Sequence, residues 1–370
     1  MSATGTTSII IASGSFGGPA TYSKLLGERL PSYGYEIKVV SFGDVLKYPK
    51  IIRHFIYFFK VLYHGFGAEI IYAQDPVSVG LPALLASKML FKRFFLKIVG
   101  DYAWEQGSQR SGVSKLLDEF STGYEEYSFL VRWFKKIQTF VANGAEKIIV
   151  PSNYLKRIVG NWGVDTSKIS VVYNAFNEPK IAEEKTMLRE TLNFKGHTIV
   201  SAGRLVPWKG FPTLIEAFAQ IKNKYDDAEL FIIDDGPDKE FLKNKVSELK
   251  LESSIKFLGR MPQQDLYKYI KAADIFALVS SYEGFSHLLI ETLSIGTPIV
   301  TTPVGGNVEV IKEGENGLLV PFGDSDKTFE AIDRILSDKS LGEQLSLNGM
   351  KSVVKFTEDE MLKNLTAILK

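Results

Sequence analysis

The chain has 370 residues, 45% of them hydrophobic and 24% charged, and such a length favours two domains of about 180 residues each. It contains no cysteine, which excludes disulfides and indicates a reducing compartment. No signal-type segment opens the sequence and no apolar run approaches the roughly 20 residues of a spanning helix, so we expect a cytoplasmic protein.

Charge is unevenly distributed along the chain, although the formal net charge is only +1. Residues 1–180 carry 21 Lys and Arg against 14 Asp and Glu, a balance of +7, so the remainder carries −6. We expect the basic half to lie near an anionic partner, and we expect no nucleic acid partner.

In the first half, six short apolar runs alternate with helical patterns, which predicts parallel βαβ units. The predicted strands are residues 8–12, 36–42, 70–73, 96–99, 147–150 and 169–172. The first strand runs into a loop that contains Gly14, Gly17 and Gly18. These glycines do not form the GxGxxG pattern, and no acidic residue ends the second strand, so an NAD-dependent enzyme is disfavoured. Their backbone amides can still lie against a phosphate or a sugar.

Two stretches of the first half combine apolar and basic residues, one from Lys50 to His64 and one from Ala86 to Lys97. In the first stretch a narrow polar stripe recurs at helical spacing: Lys50, Arg53, Tyr57, Lys60 and His64. In the second, three basic residues stand among three phenylalanines: Lys88, Lys92, Arg93, Phe91, Phe94 and Phe95. A helix packed on the sheet explains each stretch as well as a membrane interface does, and the +7 balance favours an anionic membrane at its cytoplasmic face.

The second half repeats the alternation of strands and helices. Its predicted strands are residues 198–202, 229–233, 255–258, 275–279, 299–301 and 317–320. Two doubly wound sheets follow from this pattern. The boundary is placed between residues 174 and 185, with one domain over residues 1–176 and the other over residues 185–356.

The loop after the first strand of this half reads Gly-Arg-Leu-Val-Pro-Trp-Lys-Gly and places Arg204 and Lys209 together. A planar guanidinium and a compact ammonium on one loop suit a diphosphate. For the motif taken alone, ordinary solvated surface charges are the alternative.

Two glutamates distinguish residues 280–300. Glu283 lies in a loop after a predicted buried strand, and Glu291 falls inside a helix that is apolar on nearly every face. A buried carboxylate without a partner costs several kcal/mol. Glu291 therefore needs either an internal Arg or Lys or a ligand, and the two hydroxyls of a ribose or sugar would serve.

The predicted ends of this helix are marked by single residues. Ser286 is the expected N-cap, and Gly296 stands where the helix should stop. The free amides at the helix start, around Phe285, Ser286 and His287, suit a phosphate.

With seven residues between them, Glu283 and Glu291 resemble the paired-glutamate motif of retaining glycosyltransferases of family 4, which have the GT-B fold. The loop of Arg204 and Lys209 resembles the family's diphosphate clamp, and Arg260 with Met261 resembles the loop that flanks the nucleotide base. The resemblance covers residues 8–324 and is specific from residue 203 onward.

The resemblance implies an α/β GT-B fold, in which two Rossmann-like domains with doubly wound parallel sheets lie on either side of a cleft. The second domain would hold a nucleotide-sugar donor, and the last helix, near residues 357–370, would return to the first. UDP-sugar is the first expectation and GDP-sugar the second. The acceptor would be a sugar, a lipid-linked sugar or a glycolipid of surface-polysaccharide synthesis. A GT-B epimerase and a nucleotide-sugar-binding protein without turnover are the alternatives.

The resemblance also assigns residues. Arg204 and Lys209 would hold the departing diphosphate, Glu283 the transferred sugar and Glu291 the donor ribose. Further donor contacts would come from Gly17, Gly18, Arg260, Met261, Phe285, Ser286 and His287. Asp101, just after the fourth strand, would orient the acceptor or the donor, and a helix N-cap is the open alternative.

No metal or other cofactor is expected. None of the four histidines has ligand spacing to another. Asp324 and Asp326 form a literal DxD sequence late in the chain, far from any nucleotide-binding turn, and we interpret this as chance.

Overall fold

The computed structural model describes residues 6–15, 18–123, 127–176 and 178–370, without the side chains of Lys50 and Ile51. The chain forms two compact units. The first consists of Met1–Tyr173 and Met361–Lys370, and the second of Asn174–Glu360. The junction lies just before the boundary of residues 174–185 that was predicted from the sequence.

The first unit alternates strands and helices. Its strands are β1 (Thr7–Ser13), β2 (Tyr35–Ser41), β3 (Ile70–Ala73), β4 (Arg93–Lys97), β5 (Lys147–Val150) and β6 (Ile169–Val171). Its helices are α1 (Gly18–Arg29), α2 (Lys50–Gly65), α3 (Gly80–Leu90), α4 (Tyr102–Arg110), α5 (Leu117–Thr122), α6 (Phe129–Gly144) and α7 (Asn153–Asn161). Short 3-10 turns occupy Leu30–Tyr33, Phe42–Val45 and Thr166–Lys168.

All strand pairs of the first sheet are parallel, in the order β2-β1-β3-β4-β5-β6. The central strands are continuous apolar runs because helices cover both faces of a parallel sheet. In β1, for example, Ile9, Ile10 and Ile11 are all buried. The strand order reverses between β1 and β3, which is where open α/β sheets bind ligands.

The second unit has the same architecture. Its strands are β7 (Thr198–Ala202), β8 (Glu229–Ile233), β9 (Ile255–Gly259), β10 (Ile275–Leu278), β11 (Ile299–Thr301) and β12 (Leu318–Leu319). Its helices are α8 (Lys185–Thr191), α9 (Phe211–Lys224), α10 (Lys239–Glu248), α11 (Gln263–Ala272), α12 (His287–Ile295), α13 (Asn307–Val310), α14 (Ser325–Ser337) and α15 (Lys339–Ser352). Pro207–Lys209 and Val353–Phe356 are 3-10 turns, and α16 (Glu358–Leu369) ends the chain.

The second sheet is also parallel, in the order β12-β11-β10-β7-β8-β9. Numbered from its own first strand, this is the 3-2-1-4-5-6 order of dinucleotide-binding folds. Its hydrophobic core includes side chains from α9 and the strands, among them Phe211, Phe218 and Ile232. The predicted α/β class with two doubly wound sheets is confirmed.

The structure corrects the prediction for residues 50–64. The polar stripe is not a membrane-facing surface, because it turns inward at Tyr57, which is fully buried and donates a hydrogen bond to the Val40 carbonyl at 2.9 Å. Arg53 is half-buried over the ring of Phe42. Side chains on the opposite side of α2, among them Phe55 and Phe59, are exposed instead.

Residues 86–97 are likewise not one surface. The stretch divides at Phe91 into the end of α3 and strand β4. Phe94, Phe95 and Lys97 lie in the sheet and are buried.

Within the ranges that the structure describes, every helix is too short or too polar to cross a bilayer.

Candidate active site

The candidate site lies at the carboxyl edge of the second sheet, where the strand order reverses between β7 and β10. β7 is followed by a chain segment that leads to β8 on one side, whereas β10 leads to β11 on the other. The loops after β7 and β10 therefore separate at this point and leave a crevice, which is the usual ligand site of such sheets. Arg204 and Lys209 lie on the first loop and Glu283 lies on the second.

The loop after β7 presents its two cations differently. Arg204 is exposed and forms no ion pair with any residue in the described part of the chain. Its neighbour Leu205 is fully buried and anchors the loop in the core. The side chain of Lys209 lies over Gly203. The φ of Gly203 is 146°, a backbone conformation that favours glycine. The guanidinium is thus available to a ligand, while the ammonium is held close to the backbone.

Lys209 and Glu283 form an ion pair across the two loops. The Lys209 Nζ lies 2.6 Å from the Glu283 Oε1, and the two side chains are only 19% and 11% exposed. The Ser280 hydroxyl donates to the same oxygen at 2.8 Å. Such a charge-assisted contact orders both side chains before any ligand arrives.

Backbone contacts fix the distance between these loops. Ser281 N donates to the Trp208 carbonyl at 2.8 Å. Gly210 has a φ of 69°, and a Cβ there would collide with the Val279 carbonyl. Gly306 N donates to the Glu283 carbonyl at 2.8 Å. Backbone hydrogen bonds therefore hold in place the loops that carry Lys209 and Glu283.

Helix α12 begins beside Glu283. Ser286 occupies the N-cap position, but its side chain makes no capping hydrogen bond. Gly296 ends the helix at a φ of 84°, as the sequence predicted. Asn174 Nδ2 donates to the His287 Nε2 at 3.0 Å, and Phe285 packs edge-on against Phe356 with ring centroids 5.5 Å apart.

Glu291 is a buried carboxylate whose partners are uncharged. The Gln263 Nε2 donates to its Oε1 at 3.1 Å, and the Tyr267 hydroxyl also forms a hydrogen bond with it. Burial raises the pKa of Glu291 above its usual value, and the two hydrogen bonds from α11 offset only part of that rise. Among the residues that the structure describes, no Arg or Lys pairs with Glu291, so the alternative of an internal cationic partner is wrong for this residue.

Arg260 and Met261 directly follow β9, the last strand in the order of the second sheet. Arg260 Nε donates to the Asp234 Oδ1 at 3.2 Å; the Arg260 side chain is largely exposed, whereas that of Asp234 is about one-third exposed. Asp234 has a φ of 106°, which is rare for a residue with a side chain, and its Oδ1 accepts from the Asp235 amide at 2.7 Å. The acidic turn thus organises its own loop and orients Arg260.

Asp101 is completely buried in the first unit and caps α4. Its carboxylate accepts from the Trp104 amide, the Gln138 side chain and the Trp162 indole, each at 3.0 Å. Burial raises the pKa of Asp101, while these three donors and Lys135 act in the opposite direction. The N-cap alternative is present in the structure, and a sugar could reach the carboxylate only by displacing one of these donors.

Two glycines and two aspartates are the remaining residues singled out from the sequence. Gly18 opens α1, and Gly17 lies outside the described residues. Asp324 is the N-cap of α14 and accepts from the Lys327 amide at 2.8 Å, while Asp326 accepts from Gln220 at 2.8 Å. Across the described ranges, no cluster of three His, Asp or Glu could hold a metal ion.

Three site residues were not predicted from the sequence: Ser280, Gln263 and Tyr267. Gln263 and Tyr267 are four residues apart and therefore lie on one face of α11. That spacing was visible in the sequence, but nothing in it indicated that this face meets Glu291.

The arrangement combines two cations with two carboxylates at one sheet edge. The cations can neutralise a diphosphate, and the carboxylates can accept hydrogen bonds from sugar hydroxyls. The fold defines an α/β protein of the GT-B class.

Comparison with known proteins identifies the family. Residues 16–178 match the family described as Glycosyltransferase Family 4, and residues 183–352 match Glycosyl transferases group 1. Together the two matches cover most of the chain, which belongs to the family 4 type of GT-B glycosyltransferases.

Individual relatives match parts of the chain. The lipopolysaccharide core biosynthesis glycosyltransferase LpsE of Rhizobium meliloti is 34% identical over 156 residues, 42% of this chain and 44% of that protein. The N-acetylgalactosamine-N,N'-diacetylbacillosaminyl-diphospho-undecaprenol 4-alpha-N-acetylgalactosaminyltransferase of Campylobacter jejuni is 32% identical over 197 residues, 52% of each protein. The matches thus span about half the length of these relatives.

The fold is similar over the whole length to a solved structure. HepE of Anabaena, crystallised with UDP and glucose, has a TM-score of 0.79 and 18% identity and covers 99% of both chains.

Proposed function

We propose that the protein is a retaining glycosyltransferase that moves a sugar from a nucleoside diphosphate sugar to an acceptor hydroxyl. The observation that carries this proposal is the Lys209–Glu283 ion pair at the strand-order reversal, with Arg204, which has no ion-pair partner among the described residues, on the same loop. The ion pair places a carboxylate beside the proposed diphosphate cations, where it can accept hydrogen bonds from hydroxyls of the transferred sugar.

Each charged side chain has a role in this proposal. Arg204 and Lys209 bind the diphosphate and stabilise the negative charge that develops as it leaves. Glu283 exchanges its contact with Lys209 for hydroxyls of the transferred sugar. Glu291 accepts the two ribose hydroxyls, for which its position between Gln263 and Tyr267 leaves lone pairs.

The start of α12 supplies further phosphate contacts. The helix is nine residues long and buried, and its N-terminal amides carry a partial positive charge. Together with Arg204 and Lys209, these amides replace a divalent cation. Asp324 and Asp326 are excluded as metal ligands from this proposal because each already holds a structural partner.

Retention follows from displacement on a single face of the sugar. The bond between the anomeric carbon and the diphosphate oxygen breaks, and the bond to the acceptor oxygen forms on the same side. The departing diphosphate takes the acceptor proton, so no general base from the protein is required. Asp101 is left out of this step because its carboxylate is occupied in the first unit.

The donor and the acceptor are inferred from relatives. HepE was crystallised with UDP and glucose, which supports a UDP-sugar before a GDP-sugar. The relatives from Rhizobium and Campylobacter bear names that refer to a lipopolysaccharide core and a diphospho-undecaprenol. A lipid-linked sugar or glycolipid acceptor in surface-polysaccharide synthesis is therefore the proposed class.

A thermal-shift screen of nucleoside diphosphates and their sugars tests the donor. A ligand at 100 times its dissociation constant stabilises the folded protein by about 2.7 kcal/mol, which is readily measured. UDP is expected to give the largest shift, and Glu291→Gln should remove most of it.

Product analysis then separates the proposed reaction from its alternatives. A transferase releases free UDP in proportion to acceptor, and its product keeps the donor's anomeric configuration. An epimerase would change the sugar without any acceptor, and a binding protein would release nothing. Either of these outcomes contradicts the proposal.

A further inference from the structure

Helices α2, α3 and α6 form one layer on the first sheet. The ends of α2 and α3 lie side by side, since a Cβ on Gly65 would meet the Leu90 side chain at 2.8 Å. On the other side of α3, the Lys88 ammonium lies over the Phe140 ring of α6, 5.2 Å from its centroid. The three helices therefore present neighbouring surfaces to solvent.

This layer exposes an unusual number of large apolar side chains. The exposed residues, hereafter the aromatic surface, are Ile52, Phe55, Phe59, Tyr63 and Phe66 at α2, Leu85, Met89 and Phe91 at α3, and Phe129, Trp133 and Phe140 on α6. On α2 they follow one another at helical spacing, on the side opposite the buried Tyr57 and Val61. Exposed apolar patches of this kind mark binding surfaces.

Phe91 shows that folding alone does not explain the surface. It is 95% exposed and ends α3 in the left-handed conformation, with a φ of 53°. Helices place glycine at such positions because any Cβ is strained there. A phenylalanine adds strain and exposes a ring to water, so its presence points to contact with a binding partner rather than to a role in folding.

Charge indicates what covers the surface. The three helices have 16, 11 and 16 residues, with seven Lys and Arg and no Asp or Glu among them. Lys88, Arg132 and Lys136 are exposed and, within the described part of the chain, form no ion pair. Exposed cations beside phenylalanine and tryptophan rings match an anionic lipid interface, where rings enter the headgroup region and cations meet phosphates.

We propose that the aromatic surface binds the protein to an anionic membrane. Phe91 and the α2 residues enter the lipid interface, while Lys88, Arg132 and Lys136 contact the headgroups. The binding surface is therefore the apolar side of α2, opposite the stripe that contains Tyr57. This inference uses no residue of the candidate active site and stands or falls independently of the transfer reaction.

Vesicle sedimentation tests the proposal. The full chain should sediment with vesicles of phosphatidylcholine containing 30% phosphatidylglycerol and remain in solution with pure phosphatidylcholine. Raising the salt to 0.5 M should release much of the protein, because the Debye length falls well below the roughly 10 Å of 0.1 M salt. Absence of binding to the anionic vesicles at low salt overturns the proposal.

Phe91→Gly separates membrane binding from folding. Glycine relieves the left-handed strain, so the melting temperature should stay the same or rise. Vesicle affinity should fall by about tenfold because one inserted ring is lost. Phe241→Ser is the matched control, since Phe241 is an exposed phenylalanine on α10 of the second unit. It should leave vesicle binding unchanged.

The triple variant Lys88→Gln, Arg132→Gln, Lys136→Gln tests the charge contribution. Each cation near an anionic surface changes affinity by about fivefold, so the three together should lower it by about 100-fold. Unchanged binding in both this variant and Phe91→Gly contradicts the assignment of the surface.

Trp133 reports the depth of contact directly. It is 51% exposed, whereas Trp104 is buried and Trp162 and Trp208 are half-buried. Brominated lipids should quench the fluorescence of the wild type, and Trp133→Phe should lose most of that quenching while keeping vesicle binding. If the chain instead forms dimers that Phe59→Ser dissociates, and vesicles bind neither form, the surface joins two copies and the proposal is wrong.

Discussion

The Lys209 ammonium lies 2.6 Å from the Glu283 carboxylate, although the two residues are 74 positions apart in the chain. The loops after β7 and β10 meet at the strand-order reversal, and their backbones are tied together at Trp208 and Ser281. The pair means that a diphosphate must share or displace Glu283 to reach Lys209. Binding of the phosphates and release of Glu283 toward the sugar are thus one event.

Glu283→Gln should separate nucleotide binding from turnover. Removing the carboxylate frees Lys209 and removes a negative charge near the diphosphate, so UDP should bind about threefold to tenfold more tightly. Turnover of the sugar donor should fall by about 100-fold because the transferred sugar loses the carboxylate that accepts hydrogen bonds from its hydroxyls. Calorimetry with UDP and initial rates with the donor measure the two effects. Weaker UDP binding would mean that Glu283 supports the nucleotide site rather than competing for Lys209.

Arg204→Ala and Lys209→Ala should differ in stability but not in catalysis. Each should lower turnover by about 100-fold or more, as does loss of one preorganised donor to developing charge. Only Lys209→Ala should destabilise the fold, by about 1–3 kcal/mol, because it leaves the largely buried Glu283 without its partner. Urea unfolding and kcat are the measurements, with Lys243→Ala, an exposed helix residue, as the control. Near-normal turnover in both variants would remove the proposed clamp.

Donor affinity should depend on pH through Glu291. Burial holds the pKa of this carboxyl above its usual value, so it protonates at a higher pH than an exposed glutamate. The charged form accepts from ribose, and UDP affinity should therefore fall as the pH drops through the raised pKa. The free energy of unfolding has the opposite pH dependence. As the pH rises, the Glu291 carboxyl loses its proton at a lower pH in the unfolded chain than in the folded protein. The contribution of Glu291 to stability therefore declines as the pH rises through the folded pKa.

Tyr267→Phe should shift that dependence. The Tyr267 hydroxyl lowers the pKa of Glu291, so its loss should move the decline in UDP affinity to higher pH. Glu291→Gln should abolish the difference, and Tyr269→Phe, two residues along α11, should leave the wild-type profile. Equal profiles for Tyr267→Phe and the wild type would show that Tyr267 does not position Glu291.

Chelation of divalent metals should have little effect. Excess EDTA should leave the rate within about twofold, well under the tenfold that 1.36 kcal/mol of barrier represents. Asp324→Ala should lower the free energy of unfolding by about 1 kcal/mol through loss of the α14 N-cap, with activity retained. Loss of activity in EDTA with rescue by Mn²⁺ would instead identify Asp324 and Asp326 as ligands.

Asp101→Ala should act on stability more than on chemistry. The substitution leaves three donors without an acceptor, those of Trp104, Gln138 and Trp162, and should cost about 2–4 kcal/mol of unfolding free energy. The folded fraction should keep its kcat. A stable variant with a large loss of kcat would support the catalytic assignment made from the sequence.

Local pattern was sufficient to predict the strands and the overall class. All twelve predicted strands are present, with ends displaced by at most three residues, because a parallel strand covered on both faces must be an apolar run. Gly296 could be predicted to end α12 because only glycine adopts its conformation without strain. The cations after β7 and the glutamates around α12 could be identified because their chemistry is confined to short segments.

Only the tertiary structure decided which side chains meet. The sequence could not show that Lys209 pairs with Glu283, that Glu291 is held by Gln263 and Tyr267, or that Asp101 is enclosed by three donors. Apart from the local Trp104 amide at Asp101, these contacts join residues 24 to 74 positions apart, so their geometry depends on the order of strands in the sheets. For α2 the helical period predicted two opposite sides correctly but not which one is buried. Packing on the sheet decided that, because Tyr57 is buried there with its hydroxyl bonded to the Val40 carbonyl of β2, while Phe55 and Phe59 lie on the exposed side.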